Sequence, residues 1–125
     1  MRLLLDTHIY IWVLMNNRKL TKAARRLILD ADEVFVSAAS IWEAAIKAGL
    51  GKLDVEVDQL VAEIQASGFV ELPVRAAHAA AVRRLPAIHG DPFDRLLIAQ
   101  AVSEPLGFLT SDRNLAAYSE LVITV

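Results

Sequence analysis

The chain contains no cysteine. Disulfides and thiolate metal sites are therefore excluded, and a reducing compartment such as the cytosol suits the composition. It also has no surplus of one charge. Thirteen Lys and Arg against fifteen Asp and Glu give a formal net charge of −2, which excludes a strongly basic protein that coats nucleic acid by charge alone. A local basic patch is still compatible with that balance. No uninterrupted apolar run is long enough to span a bilayer, and Asp6 comes too early in Met1-Arg2-Leu3-Leu4-Leu5-Asp6 for a secretory signal. Repeats, low-complexity tracts and interdomain linkers are absent too. So are a Gly-rich phosphate loop, a nucleophile elbow and a paired-histidine zinc motif. What is present is a chain of 125 residues, 55% apolar. That length fits one domain, residues 1–125, with a real core. Its apolar excess leaves surface for a partner.

The stretch Asp91-Pro92-Phe93-Asp94-Arg95-Leu96-Leu97-Ile98-Ala99-Gln100-Ala101 reads as a helix opening. Asp91 is suited to cap the free N–H groups, and Pro92 fits the first helical position, where no N–H is needed. Asp94 falls in the first turn, where the helix dipole favours an anion.

Around it, the chain alternates strands and helices. Arg2 to Leu5 reads as a buried strand, followed by a helix from Thr7 to about Asn16. Thr21 caps a second helix that runs to Ala31. Glu33 to Val36 is a strand, and Ser37 to Ala48 a helix closed by Gly49. A helix over about Asp58 to Ala66 ends at Gly68. Phe69 to Leu72 is a strand stopped by Pro73, and Arg75 to Leu85 an alanine-rich helix. Gly107 to Leu109 is a fourth strand, Asn114 to Tyr118 a short helix, and Leu121 to Val125 a last strand. Several strands are apolar without polar alternation, which points to an α/β domain with a mainly parallel, five-stranded central sheet. Trp12 and Trp42 are expected in the core.

Ligands of such sheets sit outside the carboxyl ends of the strands. Asp6 ends the first strand, Asp112 lies just past the fourth, Glu43 is on the helix after the second, and Asp94 starts the helix that feeds the fourth. Each has a plain reading as well. Asp6 is suited to a turn, Asp112 to capping the helix near Arg113, and Glu43 to a pair with Ser40 or Lys47. Yet Glu43 stands among Ile41, Trp42, Ala44, Ala45 and Ile46, all apolar. Four acids meeting at one edge would repel and raise one another's pKa unless a divalent cation removed the cost. Carboxylate and water ligands suit magnesium or manganese. His8 and His89 stand close enough in sequence to touch such a site. Arg95 suits a substrate phosphate or an ion pair with a nearby acid. Arg18, Lys19, Lys22, Arg25 and Arg26 form the densest basic cluster, a solvated helix face or a grip on RNA, with Arg83 and Arg84 of the same standing.

The blocks Leu-Leu-Asp6-Thr7-His8, Ser40-Ile41-Trp42-Glu43, Asp91 to Ala101 and Thr110-Ser111-Asp112 together resemble the PIN-domain ribonucleases, above all the VapC-like toxins of type II toxin–antitoxin modules. The resemblance spans nearly the whole chain. It implies a three-layer α/β/α fold and a magnesium- or manganese-dependent endoribonuclease. Asp6, Glu43, Asp94 and Asp112 match the family's acidic positions and Thr110 its accompanying hydroxyl, with Asp91 and Arg95 in support. It further implies a homodimer and a cognate antitoxin that covers the cleft. In that chemistry the ion lowers the pKa of a water that attacks the scissile phosphate in line. Two rivals are another carboxylate–metal phosphoesterase, such as a phosphatase or a DNA nuclease, and a non-catalytic partner-binding module. An Asp-x-Asp after the first strand would favour a phosphatase, but position 8 is His. The full set of acids argues against a non-catalytic module.

Overall fold

Leu3, Leu4 and Leu5 have no exposed surface, because the strand they form is covered on both faces. The computed structural model describes residues 1–88 and 90–125. His89, a candidate neighbour of the site, lies outside the described residues. Five strands, β1 (Arg2–Leu5), β2 (Glu33–Ser37), β3 (Val70–Leu72), β4 (Gly107–Thr110) and β5 (Val122–Thr124), form one sheet in the order β3-β2-β1-β4-β5. Every neighbouring pair is parallel. The helices are α1 (Thr7–Met15), α2 (Lys22–Asp30), α3 (Ala38–Gly49), α4 (Val57–Ala66), α5 (Ala76–Ala81) and α6 (Pro92–Ser103), with 3-10 turns at Val82–Arg84 and Arg113–Tyr118.

The period-two alternation of strand side chains sorts the core into two layers. Leu3, Leu5, Val34, Val36 and Leu109 pack with Ile9, Tyr10, Leu60 and Ile64 on one face. Leu4 and Phe108 pack with Leu97, Ile98, Ala101, Leu115 and Tyr118 on the other. This is the three-layer arrangement that the resemblance implied. Strand order reverses at β1, which leaves a crevice beyond the carboxyl ends of β1 and β4. Among the described residues, no helix is long and apolar enough to cross a membrane.

Three expectations need correction. The helix expected over Arg75 to Leu85 is α-helical only to Ala81 and then tightens into the 3-10 turn 82–84. Pro86 disfavours the helical conformation at Leu85, which is extended. Gly49 does not close α3 but is its last residue. The left-handed conformation falls instead at Gly51, at φ 72°, where the absence of a Cβ permits it. Trp42 is not in the core: it is 59% exposed, although Trp12 does pack against the first layer.

Candidate active site

Asp6 lies where β1 becomes α1. Its N–H still bonds the Leu109 carbonyl at 2.9 Å, as a last rung of the sheet, while its carbonyl accepts from Tyr10 as a first rung of the helix. The side chain is thereby fixed over the β1/β4 crevice and is buried. One carboxylate oxygen accepts from the Thr7 N–H at 2.7 Å, and the other from the Thr110 hydroxyl at 2.7 Å. Since that hydroxyl proton is given to Asp6, the Thr110 oxygen is left to accept, and it takes the Asp112 N–H at 3.1 Å. Asp112 caps the turn Arg113–Tyr118 by accepting from the Asn114 N–H at 2.9 Å. Its plain reading as a cap therefore holds, and the cap stands beside Asp6.

Glu43, at 4% exposure, reaches the same edge from α3. One of its oxygens contacts the Thr7 hydroxyl at 2.7 Å, and the Ser40 hydroxyl lies 2.9 Å from Thr7. A carboxylate only accepts, so Thr7 donates to Glu43 and receives from Ser40. The other Glu43 oxygen takes the Lys47 ammonium at 2.6 Å, the ion pair that the i, i+4 spacing suggested. Lys47 is in turn held above its usual pKa, first by that hydrogen bond and further by the fields of Asp91 and Asp94. Thr7, Ser40 and Lys47 are members of the site that the sequence reading did not assign. Thr7 follows Asp6 directly, and Ser40 and Lys47 lie one helical turn either side of Glu43. That spacing was their only signal.

Asp91 caps α6 as expected, one oxygen accepting from the N–H groups of Phe93 and Asp94 at 2.8 and 3.0 Å. Asp94 is pushed up to about 7, first by burial and then by the negative fields of Asp6, Asp91, Glu43 and Asp112. Five acids from four separate parts of the chain thus act on one another. Asp6 is also raised by burial, although its two hydrogen bonds and the exposed His8 oppose that shift.

The other candidates lie elsewhere. Arg95 gives its guanidinium to the carbonyls of Pro86 and Val82 at 2.8 and 3.1 Å and to the Tyr118 hydroxyl at 3.3 Å. It ties α6 to the preceding loop, and among the described residues it pairs with no acid. The basic set sits at the opposite edge of the sheet. The turn after α2 bonds the start of β1, with the Asp32 N–H on the Met1 carbonyl at 2.8 Å. Arg25 reaches the Asn17 carbonyl beyond the far end of α1 at 3.2 Å. Within the set, Lys19 lies 5.9 Å from the Trp12 ring centre and Arg26 is 3.6 Å from Asp30. Arg18 leads from α1 toward α2, Lys22 is exposed on α2, and Arg83 and Arg84 are exposed on the turn after α5.

A parallel α/β sheet whose carboxyl edge gathers acids from β1, α3, α6 and the turn after β4 defines a carboxylate-cleft protein. The chain belongs to the PIN domain family, whose model matches residues 3–121. It is 33% identical over 122 residues to Ribonuclease VapC22 of Mycobacterium tuberculosis, covering 92% of this chain and 90% of that protein. Among solved structures it is similar to VapBC2 from Rickettsia felis bound to a promoter DNA fragment. The TM-score there is 0.69 at 16% identity, over 98% of this chain and 96% of that one. A toxin–antitoxin complex from Klebsiella pneumoniae gives 0.67 at 18% identity, over 97% and 95%. FitAcB from Neisseria gonorrhoeae gives 0.65 at 16%, over 98% and 96%. At these structural identities the likeness speaks for the fold.

Proposed function

We propose that this chain is a magnesium- or manganese-dependent endoribonuclease, acting as one unit over residues 1–125 and serving as the toxin of a type II toxin–antitoxin pair in the cytoplasm. The observation that carries the reading is the meeting of Asp6, Glu43, Asp91, Asp94 and Asp112 at one end of the sheet, where burial first and then the fields of the other four acids push Asp94 up to about 7. A site that concentrates negative charge at such a cost is suited to a cation. The donors are all hard oxygens, as magnesium and manganese prefer. Among the described residues, no three His, Asp or Glu side chains already form a cage. Magnesium takes one or two carboxylates and completes its shell with water and substrate phosphate. Asp6 and Asp94 would hold the ion, with Glu43 and Asp112 beside them.

When bound, the ion supplies Lewis acidity toward a phosphate and lowers the pKa of water. The chain's own residues do the positioning. Thr110 sets the orientation of Asp6 through one hydroxyl bond and that of the Asp112 backbone through another. Thr7 and Lys47 fix the two oxygens of Glu43. Asp91 anchors the first turn of α6 and so the position of Asp94.

The named activity of the M. tuberculosis relative supports RNA as substrate, and the toxin–antitoxin complexes among the structural neighbours support an antitoxin partner. A groove of about 310 Å³ between α1 and α4 suits such a partner, lined by Leu14, Met15, Val55 and Leu60 with Asp54, Glu56 and Glu63 at its side. Exposed Ile46 on α3 and Leu50 just beyond its end suit a second copy in a homodimer. The test is cleavage of defined RNAs with added magnesium or manganese and with chelator, alongside DNA and a phosphate monoester. Cut RNA that vanishes in chelator and in Asp94→Asn supports the reading. RNA cleavage undiminished by chelator, or turnover of the monoester or the DNA with RNA left intact, overturns it.

A further inference from the structure

Trp42 and Phe93 meet edge to face, with ring centres 5.0 Å apart and planes at 71°. Each immediately precedes an acid, Trp42 before Glu43 and Phe93 before Asp94. The contact joins α3 to the first turn of α6. Between them opens a recess of about 390 Å³, lined by Trp42, Val82, Pro92, Phe93, Arg95 and Leu96 among others. No acid stands among its described lining residues, and its charge is the Arg95 guanidinium. The recess therefore borders a cluster of carboxylates without sharing their charge. The exposed indole and the ring of Phe93 together present an aromatic surface beside the recess.

We propose that the Trp42–Phe93 corner is a nucleobase-binding subsite, which seats an unpaired base of the RNA while its phosphate lies at the acids. The inference rests on the ribonuclease reading. An aromatic face accepts any base by stacking, and a base is joined to its phosphate through a single sugar. The corner, one residue along from two of the acids, is thus placed to hold the nucleotide whose phosphate is attacked. Arg95 is already anchored by the carbonyls of Val82 and Pro86. It offers a positive edge to an anionic strand without the entropy cost of ordering a mobile side chain.

The test compares a short single-stranded RNA that the parent cleaves with strands carrying one abasic nucleotide, placed in turn on each side of the cut. Trp42→Ala should raise KM about tenfold with kcat little changed, within the range for losing one base–aromatic stack. An abasic residue at the seated position should raise KM as much in the parent and add little further in Trp42→Ala. Trp42→Phe should stay near the parent, which also guards against loss of fold as the cause. Trp12→Phe leaves Trp42 as the single tryptophan of a chain that has two. Its fluorescence should be quenched by the intact strand in chelator and much less by the abasic one. Unchanged KM in Trp42→Ala, or effects of the variant and the abasic residue that simply add, overturns the subsite. So does equal quenching by both strands. A self-associating parent that Trp42→Ala turns monomeric with KM unmoved would mark the corner as a protein–protein surface and also overturn it. A parent that cuts no RNA defeats the ribonuclease reading, whereas the quenching comparison still decides the subsite.

Discussion

The two halves of the acid cleft surround their charge with different partners. On the β1/α3 side, Asp6 and Glu43 are more deeply buried, yet each carboxylate is satisfied: Asp6 by a backbone N–H and the Thr110 hydroxyl, Glu43 by the Thr7 hydroxyl and the Lys47 ammonium. On the α6 side, Asp94 is partly buried, and that burial, joined by repulsion from the other four acids, pushes it up to about 7. Burial alone does not set the behaviour of these acids. Hydrogen-bond donors and a counter-charge fix the side chains of one half, whereas in the other half the fields of the neighbouring acids add to the cost of burial.

Asp94→Asn should break the comparison most severely. RNA cleavage should fall by at least about a hundredfold, on the scale of removing a group that stabilises transition-state charge. Cation binding by calorimetry should weaken with it. Stability in chelator should nevertheless hold or rise, because a repelling charge is gone. A large loss of stability would show that Asp94 is chiefly a helix-start residue.

Thr110→Val keeps the shape of the side chain but removes the hydroxyl that serves both Asp6 and Asp112. Denaturant titration should show a loss of about 1–3 kcal/mol, the usual cost of leaving a buried polar group unpaired. Cation affinity should fall about 10- to 100-fold, as for groups that orient a metal ligand. If both quantities stay put, Asp6 is held by the Thr7 N–H alone.

The pH dependence of the metal-free protein sharpens the contrast. A folded-state pKa raised from 3.8 to about 7 at Asp94 means that the folded state binds this proton more tightly than the unfolded one. The stability from this group is then fully present below about pH 3.8 and is lost as pH rises through about 7. Asp6, also raised, acts in the same sense. Thermal melts in chelator should therefore fall from pH 5 to pH 8, and Asp94→Asn or added magnesium should flatten the slope. A parent slope identical to that of Asp94→Asn would remove Asp94 as its cause.

The smallest effect is expected from charge reversal at Arg25 and Arg26. Their helix lies at the opposite edge of the sheet from the acids, so cleavage of a short RNA should change little and cation affinity not at all. Only a long strand that wraps to the far edge should lose affinity, and with it some salt dependence. Strong inhibition on a short strand would place the RNA path across α2.

Much of this was legible along the chain. Strand-end acids and helix caps are local features, and Asp6, Thr21, Asp91 and Asp112 do cap the helices and turns that follow them. The apolar runs at Leu3–Leu5 and Val34–Val36 implied a sheet covered on both faces, because a strand without polar alternation has no side to give to water. The pairing of Glu43 with Lys47 followed from helical spacing.

Trp42 shows where such reading stops. Its neighbours Ile41 and Ala44 are turned inward and Trp42 outward, and an apolar run on a helix does not say which of its faces will be left open. The same limit applies to Arg95, whose partners Val82, Pro86 and Tyr118 come together only when α6 packs against the turn after α5. The sequence by itself determined the element order, the caps and the residues able to form an acidic cleft, since propensity, capping and periodicity act over a few residues. Only the tertiary structure decided that Thr110 bonds Asp6, 104 positions away, that Thr7 and Lys47 complete Glu43, and that the basic cluster faces the far edge. Those outcomes depend on strand order and helix packing, which set distances that no local spacing encodes.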